Sequence, residues 1–114
     1  MGKRPVLVTL VSVALILSGA AGLAFHAAEF GTALRGEYLL IMLVRLLAIV
    51  AGGFMLRGEN WARWLSMLWI SAHVAISAFH PWPELVIHVV VFAVFAFALF
   101  RADAAKYFGG AQAA

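Results

Sequence analysis

No cysteine occurs among the 114 residues. Its absence excludes disulfides, thiolate catalysis, iron–sulfur ligation and cysteine-based zinc sites, and with them thiol-dependent membrane oxidoreductase chemistry. Charge is scarce too: 11% of residues are charged and 66% hydrophobic, where soluble domains are about a quarter charged and half apolar. A mean hydropathy of +1.04 belongs to a chain immersed in lipid. There is no phosphate-binding glycine loop, no G-x-S-x-G elbow and no H-E-x-x-H, and the few carboxylates are not paired on one helix. The chain is therefore expected not to be an enzyme, and no catalytic residue is nominated.

What is there falls into apolar runs. They predict one all-α domain over residues 1–114, a four-helix transmembrane bundle running up-down-up-down, with helices over 6–25, 38–56, 61–79 and 83–100, each near the length that crosses hydrocarbon. The first run, behind Lys3-Arg4, also has the form of a signal peptide with Ser18-Gly19-Ala20 as a cut site, but no polar stretch precedes the cut and a retained helix is expected. Gly58 is suited to end the second helix in a left-handed conformation and Asn60 to cap the third. His80-Pro81-Trp82-Pro83 forces the next turn, since proline has no amide donor and biases its predecessor away from helix.

The pI near 10 does not signal nucleic acid, because the eight Lys and Arg residues are scattered between apolar runs instead of forming a basic face. Their placement sets topology. With the N-terminus in the cytosol, Lys3, Arg4, Arg57, Arg63, Arg101 and Lys106 share that side against Arg35 alone outside, which predicts a bacterial inner membrane protein with both termini cytoplasmic. Trp61 and Trp64 then mark the inner interface, Tyr38 and Trp82 the outer one.

Given that topology, His26, Glu29, Glu37, Arg45, His73, His80, Glu84 and His88 collect in or near the outer half. Arg45 sits seven residues from Tyr38, about 10 Å into hydrocarbon at 1.5 Å per residue. It needs a counter-charge or an outward reach. Glu84, Glu37 and Glu29 are acids near its level, Glu84 being favoured because it opens the fourth helix beside His88. Ser66, His73, Ser77 and His80 form one stripe of the third helix, while Glu84, His88 and Phe95 share a face of the fourth. His73, His88 and His80 are the candidate cofactor ligands, for haem b or a transition metal, and Arg45, Glu84, His26 and Glu29 the candidate ligand or ion-pair cluster. Interhelical hydrogen bonding is the commoner use of such residues, so no resident cofactor is expected and the identity of any metal stays open. Ser12, Gly19 and His26, the Ser18-x-x-x-Gly22 pair and Ala48-x-x-x-Gly52 supply small residues that let helix backbones approach.

At Gly58-Glu59-Asn60-Trp61-Ala62-Arg63-Trp64 the chain resembles small uncharacterised four-span bacterial membrane proteins that carry an arginine-bearing second helix and a G-x-N-W-A-R-W hairpin. The resemblance covers residues 38–107 and implies no activity. The expected role is a non-enzymatic accessory or assembly subunit of a membrane complex, or a homo-oligomer, with the lipid bilayer and other transmembrane helices as partners and no nucleic acid. The alternatives are a small-ligand, metal or haem-binding protein built on the outer cluster, and a transporter or channel, which the dry inner half disfavours.

Overall fold

The computed structural model describes residues 3–30 and 36–113, with side chains for 3–25 and 39–109. Among these, the chain is all-α, with helices α1 (Val6–Phe30), α2 (Gly36–Leu56), α3 (Asn60–Ser77), α4 (Trp82–Phe100) and α5 (Ala102–Ala113). Three contain stretches long and apolar enough to cross a membrane: Val6–Phe25, Leu39–Leu56 and Trp82–Phe100. Helix α3 is not among them. Asn60, Arg63, His73, three serines and three tryptophans dilute its 18 residues, and it buries a single stripe of Ala62, Ser66, Ile70 and Ser77.

Successive long helices run antiparallel. The most extensive interface joins α1 to α2, where Val8, Val11, Ser12 and Leu15 meet Ala48, Ala51 and Met55, all buried. Glycines set its closeness: a Cβ on Gly19 would fall 2.6 Å from the Arg45 carbonyl oxygen, and one on Gly52 would fall 2.5 Å from that of Ser12. Small residues at these points let the two backbones approach closely. Ser18 is exposed, off this seam.

Helix α2 ends at Gly58, whose φ of +80° places it in the left-handed region that a side chain would strain. The Gly58 amide donates to Met55 O at 3.0 Å and that of Glu59 to Phe54 O at 3.1 Å, satisfying carbonyls at the helix end. Asn60 does not cap α3 as expected. The chain leaves the Gly58 turn with Glu59 already extended, so Glu59 is the cap residue, without a side-chain bond, and Asn60 lies inside the helix with Oδ1 buried and unpartnered among the described residues.

A fifth helix, absent from the sequence expectation, closes one end of the molecule. Ala104, Tyr107 and Phe108 of α5 are buried. The Tyr107 hydroxyl donates to the carbonyls of Leu56 at 2.7 Å and Met55 at 3.0 Å, and the Arg4 guanidinium donates to the same Leu56 carbonyl at 2.9 Å. The end of α2 is thus capped by residues from both chain ends.

Candidate functional site

At the opposite end, α3 and α4 are joined by a polar string. Trp69, His73 and Ser77 recur every four residues and so share one helix face. His73 Nδ1 lies 2.7 Å from Trp69 O, and since a carbonyl only accepts, that nitrogen carries the proton. The Ser77 hydroxyl donates to His73 O at 2.6 Å, which uses its single proton. It must then accept from His88 Nδ1 at 2.7 Å, and the same N–H is shared with Glu84 O at 2.9 Å. Both imidazoles therefore spend Nδ1–H on a carbonyl of their own helix, which leaves Nε2 outside these bonds.

The two rings lie 5.8 Å apart, tilted by 33°, and the Trp69 indole packs on His73 at 4.0 Å. Of the three histidines nominated as ligands, His73 and His88 come together. His80 lies further out, its Nδ1 3.2 Å from Glu84 Oε2 in an exposed pair. Among the described residues no three His, Cys, Asp or Glu side chains converge as a metal site. The Ser77–His88 bond, made through Nδ1, closes the helices beside this pair.

Arg45 stands apart from this string. Its backbone is level with Gly19 of α1, while a Cβ on Gly22 would fall 2.5 Å from its Nε and 2.9 Å from its Cζ. The guanidinium has therefore climbed three residues along α1, about 4.5 Å at 1.5 Å per residue, toward the end that carries His80 and Glu84. The long side chain thus carries its charge along α1 and away from the level of its own backbone. The favoured Arg45–Glu84 pair does not form. Glu84 is engaged with His80 at the start of α4, whereas Arg45 is seated against α1. The side chains of His26, Glu29 and Glu37 lie outside the described residues.

Between α2 and α3 opens a crevice of about 400 Å³, lined by apolar side chains with Arg45, Trp69 and His73 among them. Trp69 Nε1 donates to Val44 O at 3.0 Å across its floor. His73 thus belongs to both the polar string and the crevice, and Trp69 is the residue of the site that the sequence reading does not single out. Trp69 could have been found as the next member of the His73–Ser77 stripe. Gly22, expected from the Ser18-x-x-x-Gly22 spacing to let helix backbones approach, instead makes room for the Arg45 guanidinium. The chain matches no protein-family model, no curated protein and no solved structure.

Proposed function

We propose that the chain crosses a bacterial inner membrane four times with both termini in the cytosol, and that it acts without chemistry of its own as an accessory or assembly subunit of a membrane complex or as one protomer of a homo-oligomer. The exposed side chains Leu39, Leu40, Leu43 and Leu46 of α2 and Val86, Val90, Val94 and Phe97 of α4 form apolar surface far beyond what a soluble monomer shows. Only lipid or further transmembrane helices suit it. The bonds from Tyr107 to the end of α2 support the span count. They hold α5 beside Leu56, so α3 and α4 must either both cross or both stay on one side, and α4 has the length and hydropathy to cross.

The observation that carries the interaction role is an open valley between α1 and α4. It measures about 350 Å³ and runs along Leu7, Leu10 and Ala14 on one wall and Val90, Val94 and Ala98 on the other. Tight van der Waals packing is what drives helices together in lipid, and this valley offers an unfilled seam for one more helix. Photo-crosslinking residues placed at Leu10 and Val94 should trap a single transmembrane polypeptide of defined mass, this chain or another, far more efficiently than one at Leu43 on α2. Equal yields at all three positions, together with a monomeric mass on native extraction, would contradict the proposal.

A further inference from the structure

The α1–α4 valley is apolar throughout, the Arg63 guanidinium is enclosed by aromatic rings of this same chain, and the α3–α4 string is closed by its own hydrogen bonds. The α2–α3 crevice differs from all three. It combines an apolar wall with a cation among its lining residues.

We infer that this crevice is a binding site for an anionic membrane phospholipid, with one acyl chain lying between α2 and α3 and the phosphate drawn to Arg45. The inference rests on the membrane-embedded reading and not on the accessory role. The wall supplies the chain's surroundings: Leu40, Val44, Leu65, Leu68, Ala72 and Ile76 line it. From Leu65 to Ile76 the crevice follows eleven helical steps, about 16 Å at 1.5 Å per residue, close to the roughly 15 Å that one leaflet contributes to a 30 Å core.

Arg45 supplies the charge preference. A guanidinium at this depth is costly without a counter-charge, and among the described residues no carboxylate pairs with it. Its seat at Gly22 lies three residues below Phe25, the last residue of the apolar run in the sequence before His26. A phosphate at the outer interface is thus about 4.5 Å away along the helix axis, within reach of a planar fork suited to two oxygens. His73 and Trp69, on the same wall, give a headgroup a polar ring edge and the chain a flat apolar face.

The test uses Trp69 as the reporter. The full chain carrying Trp61→Phe, Trp64→Phe and Trp82→Phe is reconstituted into phosphatidylcholine vesicles containing a small fraction of either dibrominated phosphatidylglycerol or dibrominated phosphatidylcholine, whose acyl bromines quench nearby indoles. The anionic lipid should reach half-maximal quenching at about fivefold lower mole fraction, the weight of one basic residue against an anionic surface. Arg45→Gln should remove that preference and Arg45→Lys retain most of it. Ala72→Leu, at an exposed position on the crevice wall, should weaken quenching by both lipids and stands in for Arg45→Gln if that variant does not insert. Equal quenching by the two lipids, or a preference that survives Arg45→Gln, would overturn the phospholipid site while leaving the membrane reading intact. No quenching by either lipid would overturn both.

Discussion

Two neighbouring glycines on α2 have opposite duties. Gly52 faces α1, where an added Cβ would meet Ser12 O at 2.5 Å and Ile16 Cγ1 at 2.8 Å; Gly53 faces open space with nothing within 4 Å. A backbone oxygen cannot rotate away as a side chain can, so Gly52→Ala must push the two helices apart along their most extensive contact. The expected loss is about 1–3 kcal/mol, typical of overpacking. Gly53→Ala instead removes a poor helix former from an unobstructed site and should be neutral or stabilising by up to about 1 kcal/mol. Unfolding both variants in mixed micelles by titration with a denaturing detergent checks the contrast. Equal effects would mean that α1 and α2 do not approach as closely as described.

At the scale of elements, the long helices were largely legible because an apolar run of about 20 residues admits few other structures. Helix α5 was not, although Ala104, Tyr107 and Phe108 have the spacing of one helix face. Two glycines and a low hydropathy conceal it, and its place is set by contacts with distant residues. Chief among these is Arg63. Its guanidinium lies 4.6 Å from the Phe100 ring centre, 5.3 Å from that of Phe108 and 5.8 Å from that of Trp64, and it donates to Leu99 O at 3.3 Å. It therefore joins α3, the end of α4 and α5, more than the interfacial anchoring that its position in an aromatic, basic hairpin suggested. Because a lysine ammonium is a compact, strongly hydrated point charge that cannot spread over three rings and the Leu99 carbonyl as the broad guanidinium does, Arg63→Lys should loosen α5, and Arg63→Ala should loosen it further. Hydrogen exchange across residues 102–109 reads this directly, with protection expected to fall several-fold in both variants. A lysine variant that kept full protection would show that charge alone holds the helix. The outer histidines were legible in part for a related reason: spacing placed His73 and Ser77 on one stripe, but only tertiary geometry separates Arg45 from Glu84.

For the whole molecule, span number and orientation reduce to which residues share an end. Arg4 and Tyr107 both bond Leu56 O, so the N-terminal segment, the α2–α3 turn and α5 lie together, and the cations Lys3, Arg4, Arg57, Arg63, Arg101 and Lys106 cluster there. Phe79, fully outside the packing at 91% exposure, marks the other end. Had α3 remained at one surface while α1, α2 and α4 crossed, Glu59 and Phe79 would share a side and Ala105 would lie on the opposite one, which would break the Tyr107 bonds. The absence of cysteine makes the alternatives separable, since any introduced thiol is the only one present. In spheroplasts treated with a membrane-impermeant maleimide, Phe79→Cys should label in intact cells, whereas Glu59→Cys and Ala105→Cys, both at exposed positions, should label only after the membrane is opened. Co-labelling of Glu59→Cys with Phe79→Cys would reduce the count to three spans. The mirror pattern would fit four spans in the inverted orientation, with Arg45 and the α2–α3 crevice toward the cytosolic leaflet.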